Sequence, residues 1–457
     1  MKLRKLMALS MAAVMAAGAV GCASDTSKEA TQAPSQGSTE TTAAAQTTAA
    51  QSTTAAQTET SAPAGQGVKL TMMNSKPELE DALLEAAKEF EAKTGVQIEI
   101  YTTDKPGEMA AQKYAAGDPP TILMCDYANV TDLAAEKLLD LSGEDWAKDG
   151  GEALGVHVND KLYGFPFCVE ATGVLYNRTA IENILGEDFD PSKYTTLDQF
   201  KELLEKLRAG GMENPMILNS EDWSIGQHFL QYIYRMHTGK SQDALAYLDE
   251  VRTGVANFED DEVYNAIYDT LDTFIEYNIN KNDPLAADYD LNASYLAEGE
   301  AAFWMNGSWA WPDTEEFVDG SMTYGIMAYP INGNSPAVGK VGANATKYMA
   351  IDNVKADASQ QQAAKDFLNW LVYDTQGQEV LVNKCAVVPA FVNITLPMTN
   401  DYNEAVKEYV DKGLATEYVP IPSDHRSTLA AYMQKYLAGE LDRAEMAQHL
   451  DEYWKSH

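Results

Sequence analysis

Three tryptophans fall within eight residues, Trp304, Trp309 and Trp311, in the stretch running from Tyr295 to Asp313. An indole either fills a core or offers a flat apolar face to another ring. The surrounding pattern is compatible with both uses. Ala301 to Met305 is a short apolar run of the kind that forms a strand buried on both faces. Asn306-Gly307 reads as a turn, and Ser308 as the N-cap of a short helix holding Trp309 and Trp311. A buried strand thus carries two indoles to a strand-to-helix turn, and open α/β sheets bind ligands outside the carboxyl ends of their strands. On the residues alone two readings stay open: all three indoles fill a core, or Trp309 meets a ligand while Trp304 lies in the core. Trp311 is expected to pack the base of the helix, and it is kept with Asn306 among the candidate contacts.

Other chemistry is sparse. No Gly-x-Ser-x-Gly, His-Glu-x-x-His, phosphate loop or Gly-x-Gly-x-x-Gly occurs. The six histidines show no ligand spacing, so neither a metal nor a cofactor is expected. A glycosidase needs only two well-placed carboxylates, so with 69 acidic residues a surface glycoside hydrolase stays open. An adhesion module and a solute-binding protein are the other two classes. The formal charge of −36 argues against nucleic acid or anionic lipid as a partner.

These residues need a frame. Val68 to Met73 and Val96 to Ile100 read as strands flanking a helix with an apolar face of Leu79, Leu83, Ala86 and Phe90, opened by a capping box at Ser75–Glu78. That βαβ unit implies a parallel sheet, extended by a helix near Glu108–Ala116 and a strand Thr121–Cys125. Leu162 to Asn177 is a long extended run with Glu170 in its middle, an acid that will not face a core unpaired. Thr196–Leu207 is an amphipathic helix, and Trp223 sits in a loop before another helix. Met322–Pro330 and Lys347–Ile351 are strands, and Ala358–Val372 is a helix.

Several phrases carry a resemblance: Gly-Glu-Ala-Ala-Phe-Trp-Met-Asn-Gly-Ser-Trp-Ala-Trp at 299–311, Tyr163-Gly164-Phe165-Pro166 with Glu170-Ala171 and Leu175-Tyr176-Asn177, and Gly117-Asp118-Pro119-Pro120. They resemble the maltose-binding branch of bacterial extracellular solute-binding proteins over residues 67–457. The resemblance implies an α/β periplasmic-binding-protein-like fold of two lobes, each a mostly parallel sheet flanked by helices. Interlobe crossovers would form a hinge near Glu170, Val341–Asn344 and Val388–Ala390. Lobe 1 would comprise 67–169 plus 343–389, and lobe 2 would comprise 170–342 plus 390–457. It also implies capture of a carbohydrate between the lobes and delivery to the permease subunits of an ABC importer, by a monomer that is not an enzyme. Trp309 would stack on a sugar ring and Glu170 would accept from sugar hydroxyls, unless a nearby cation holds it as a hinge carboxylate. Asp126, Asn74, Trp223, Asn344 and Asp118 complete the expected contacts. The His-Asp-Arg group of the maltose-binding pattern is here Cys125-Asp126-Tyr127, and the loop Pro422–Arg426 has no clear counterpart, so the sugar itself does not carry over.

The amino terminus explains where such a protein would work. Lys2, Arg4 and Lys5 precede an apolar stretch, Leu6 to Ala19, that is too short to span a bilayer. It ends in Ala19-Val20-Gly21-Cys22, which resembles a lipobox: residues 1–21 would be removed and Cys22 lipidated. Residues 23–66 are almost wholly Ala, Thr, Ser and Gln and cannot offset their ordering entropy. Such a tether averages roughly 35–40 Å end to end. The domain would then sit at the cell surface, held only by its lipid on the outer face of the cytoplasmic membrane. Cys125, Cys168 and Cys385 are an odd number in apolar contexts and read as buried thiols, although two could pair.

Overall fold

The computed structural model describes residues 67–457 apart from Asp319. Cys22, the leader and the tether lie outside the described residues. Among the described residues nine strands run in chain order: β1 Lys69–Asn74, β2 Gln97–Thr102, β3 Ile122–Cys125, β4 Val156–Val158, β5 Lys161–Asn177, β6 Met216–Ile217, β7 Phe303–Gly307, β8 Tyr324–Met327 and β9 Gly342–Ile351. They form one mixed sheet of order β2-β1-β3-β9-β5-β7-β6, with β4 and β8 also on β5.

The expected parallel pairs of β1 with β2 and β3 are present, and β6 also pairs β7 in parallel. The strands that join the two halves run antiparallel. β9 pairs β3 at one end and β5 at the other, and β5 continues on to β7 and β8. β5 can do this because all but the first of its 17 residues are buried, as expected of a strand covered on both faces. The boundaries expected at 169/170 and 342/343 therefore fall inside continuous strands. Glu170 lies opposite Asn344 and Val169 opposite Ala345, while a lone bridge joins Val169 to Val388. Val169–Glu170, Asn344–Ala345 and Val388 thus run side by side.

Helices cover both faces of the sheet. Glu80–Thr94 buries Leu83, Ala86, Ala87 and Phe90 and ends at Gly95 in the left-handed region (φ 79°). Phe90 meets Phe367 of the helix Ala358–Tyr373 edge-on at 5.2 Å. Thr196 with Gln199, and Asp357 with Gln360, form full capping boxes. A second core, under β6 to β8, gathers Phe200, Leu203, Tyr232, Tyr268, Phe274, Phe303 and Trp454.

Several local expectations change. Ser75–Glu78 is no capping box: the chain enters a short 3-10 turn, Pro77–Leu79, with no side-chain cap. Lys76 is drawn to acids across the sheet instead. Asn306-Gly307 is the end of β7 rather than a turn, paired with Gly173 and Thr172. Ser308 caps no helix, because its hydroxyl accepts from the Ala171 amide at 3.1 Å. All three described cysteines are buried and unpaired.

Candidate functional site

A cavity of about 540 Å³ lies where β1, β3 and β9 face the segments carrying Trp223, Arg235, Tyr289 and Trp309. That volume is within the range of small-ligand pockets, roughly 300–1,000 Å³. Its lining falls into two walls of different chemistry.

One wall is charged and internally paired. Asn74 ends β1 fully buried. Its amide oxygen accepts from the Lys76 backbone N–H at 2.8 Å, and its Nδ2 donates to the Lys76 carbonyl at 2.8 Å and to Thr102. This clamp aims Lys76 into the cleft, where its ammonium meets Glu170 at 2.8 Å and Glu78 at 2.6 Å. Thr346 also donates to Glu170. Burial would raise the Glu170 pKa, but the charge and hydrogen bond of Lys76, with Thr346, outweigh it and hold the carboxyl below its usual range. Asp126 stands just past β3 and pairs with Lys347 on β9. Burial again opposes ionisation, and the charge and hydrogen bond of Lys347, with the charge of Arg426 behind it, win and hold the carboxyl below its usual range. Arg426 reaches Asp222 at 2.7 Å.

The other wall is aromatic. The Trp309 indole stacks on the imidazole of His228 (4.7 Å, 30°) and meets Trp223 edge-on at 5.9 Å. Trp223 also meets Tyr289 edge-on at 5.7 Å. Burial, then the charges of Arg235 and Lys347, push the His228 pKa down to about 3, so the ring is neutral. Bare Gly307 makes room for Trp309: a Cβ there would lie 2.1 Å from its Cζ3. A second aromatic group, Tyr127 and Tyr418, sits near Asp126 with ring centroids 5.1 Å apart.

Of the residues expected from sequence, Trp309, Trp223, Glu170, Asp126 and Asn344 line the cavity. Four others do not. Asn74 clamps the Lys76 turn, and Asn306 is buried with its amide donating to the Tyr289 hydroxyl at 3.2 Å. Trp311 packs edge-on against Tyr402 at 5.2 Å, inside the core. Asp118 precedes β3, at the opposite end of that strand from Asp126, and its side chain is 82% exposed beside Lys113. An open Trp309 face was expected, yet His228 lies on it. Sequence reasoning missed Lys76, His228, Arg235, Tyr289, Lys347 and Tyr418. Only Lys76, two residues past the end of β1, carried a local signal.

The solute-binding family fits this geometry. A family model for bacterial extracellular solute-binding proteins matches residues 85–439. The multiple sugar-binding protein of Streptococcus mutans is 24% identical over 351 residues, covering 69% of this chain and 75% of that protein. A maltooligosaccharide ABC transporter solute-binding lipoprotein of Streptococcus pneumoniae is 24% identical over 319 residues, covering 67% and 68%. Among solved structures, a solute-binding protein in complex with raffinose superposes with TM-score 0.69 at 20% identity, covering 85% of this chain and 99% of that one. A Bacillus licheniformis sugar transporter in complex with stachyose gives 0.67 at 18%, covering 85% and 100%. Those likenesses give the two-lobed binding-protein fold. Among the described residues no helix is long and apolar enough to cross a membrane, and no group of three or more acids, histidines or cysteines could hold a metal. This chain belongs to the bacterial extracellular solute-binding protein family.

Proposed function

We propose that this protein captures a sugar, most simply a short oligosaccharide, in the cleft and presents it to the permease subunits of an ABC importer. The observation that carries the reading is the pairing of an aromatic wall with a polar wall across one cavity. A pyranose has apolar C–H faces and a hydroxyl rim. Trp309, Trp223 and Tyr289 suit the faces, while Asp126, Glu170 and Asn344 suit the rim. In this reading Asn74 and Asn306 position contacts without making them, and Trp311 and Asp118 take no part. The sugar-binding and maltooligosaccharide-binding roles of the streptococcal relatives support it, as do the raffinose and stachyose held by proteins of the same fold.

The hinge would lie where Glu170, Asn344 and Val388 cross together, dividing 67–169 plus 343–389 from 170–342 plus 390–457. Closure about such crossings is a known way to enclose a ligand. A thermal-shift panel of mono- and oligosaccharides, amino acids, polyamines and metal salts tests the ligand class. Stabilisation by at least one saccharide is expected; stabilisation only by another class would overturn the reading. The protein would work as a monomer tethered through a lipid on Cys22. Cys22→Ser should release it from the membrane fraction or leave the precursor uncut, and normal processing with continued membrane attachment would contradict the anchor.

A further inference from the structure

Every other cation in the cleft has an acid beside it: Lys76 has Glu170 and Glu78, Lys347 has Asp126, and Arg426 has Asp222. Arg235 does not. Its residue is only 4% exposed, yet it lines the cavity. Among the described residues no carboxylate pairs with it. One Nη donates to the neutral amide oxygen of Gln231, and the buried Nε has no hydrogen-bond partner. Its guanidinium carbon lies 5.6 Å from the ring centroid of Tyr232, a neutral phenol. The other Nη sits against bare Gly342, where a Cβ would come within 2.1 Å of it and 2.4 Å of the Thr172 hydroxyl.

This placement is costly unless something completes it. A guanidinium stays protonated in proteins, and taking a charge from water without a counter-charge is heavily penalised. The surroundings hold the group firmly. Tyr232, one helical turn away, donates its hydroxyl to the Thr172 carbonyl at 2.9 Å and accepts from the Gly342 amide at 3.1 Å. β5, β9 and the helix bearing Arg235 are thereby tied together around one unneutralised fork. A planar fork of N–H donors matches a carboxylate two bonds at a time.

We propose that the Arg235 end of the cleft takes a carboxylate, so that the sugar is an acidic one carrying a uronate residue. The inference rests on the sugar reading above and names the charge of that ligand. The aromatic wall would hold the ring faces while Arg235 meets the C6 carboxylate. The neighbouring amides of Gln231 and Asn344 could serve the ring hydroxyls.

Calorimetric titration of the full chain tests this with di- and trisaccharides of galacturonic, glucuronic and mannuronic acid, each beside its methyl ester and its neutral hexose counterpart. Esterification removes the charge and keeps the ring. At least one acid should bind about ten- to a hundredfold tighter than its ester. Arg235→Gln should erase that preference, whereas Arg235→Lys, which keeps the charge without the fork, should keep part of it. Melting curves of both variants identify any that fail to fold, and the acid–ester ratio of the unaltered chain stands without them. Equal binding of acid and ester, or binding of neutral oligosaccharides alone, would overturn the carboxylate assignment and leave the sugar reading standing. No saccharide binding in any arm would overturn both.

Discussion

The two walls of the cleft solve the burial problem in opposite ways. On the Lys76–Glu170 wall, charges are buried but matched, so each group is held by a partner in the same chain. On the Trp223–Trp309 wall, flat rings lie edge to face with a neutral histidine among them, and little polar atom needs satisfying. The first wall is rigid by saturation: Glu170 already accepts from Lys76 and Thr346. The second gains its stability from area, and a sugar face can replace one ring contact with another. On the reading proposed above, Glu170 is held first by its own chain, and the aromatic wall offers its ring faces to the ligand.

The largest break in this comparison is expected outside both walls. Trp304 shares its stretch with Trp309 but is fully buried, with its Nε1 donating to Asn219 at 2.8 Å. Trp304→Ala should cost about 3–5 kcal/mol of stability, read by urea unfolding. A loss under about 1 kcal/mol would mean that this strand is not core.

Glu170→Gln comes next. It removes a charged acceptor from Lys76, which keeps Glu78, so a stability loss of about 1.5–3 kcal/mol is expected. The pH dependence follows the same pairing. The Glu170 carboxyl is held below its ordinary range of about 4.3, so its contribution is present above that value and fades as pH falls through the folded pKa. The variant should lack that acid-side loss. Unchanged stability with weakened binding would make Glu170 a ligand contact first and a hinge strut second.

A pH-dependent effect is expected at Asp313, which also lines the cavity. Burial, then the like charges of Glu78, Asp290 and Glu316, push its pKa up to about 7. An unfolded aspartate titrates near about 3.9. Across that window the folded chain holds a proton that the unfolded chain has lost, so stability falls as pH rises towards the folded value. Asp313→Asn should therefore raise the melting temperature more at about pH 8 than at about pH 4. An equal shift at both would show that the carboxyl titrates normally.

Local pattern carried much of this in the sequence. The long extended run of β5, the helical spacing of Leu83, Ala86 and Phe90, and the Thr196 cap each depend on near neighbours, and each formed as read. Ser75–Glu78 had the same cap signature and formed none: the Glu78 carboxylate pairs with Lys76 at 2.6 Å, and Lys76 in turn meets Glu170, 94 residues away. The site was legible where a residue sat on a strand end, as Asp126 and Trp309 do. His228, Arg235 and Tyr418 were not, since helix packing and chain return bring them in, and no short spacing records that. Asp118 misled because the turn that carries it enters β3 at the end remote from the cleft.

Trp309 is the most direct test of the central claim. A stacked sugar ring hides roughly 100 Å² over both partners, worth about 2.5 kcal/mol at about 25 cal/mol/Å². Calorimetric titration of the saccharide that stabilises the protein best should show single-site binding, weakened roughly fifty- to a hundredfold by Trp309→Ala with the melting temperature nearly unchanged. If Trp309→Ala binds the sugar as tightly as the unaltered chain and melts early, the indole belongs to the core and the aromatic wall does not hold the ligand.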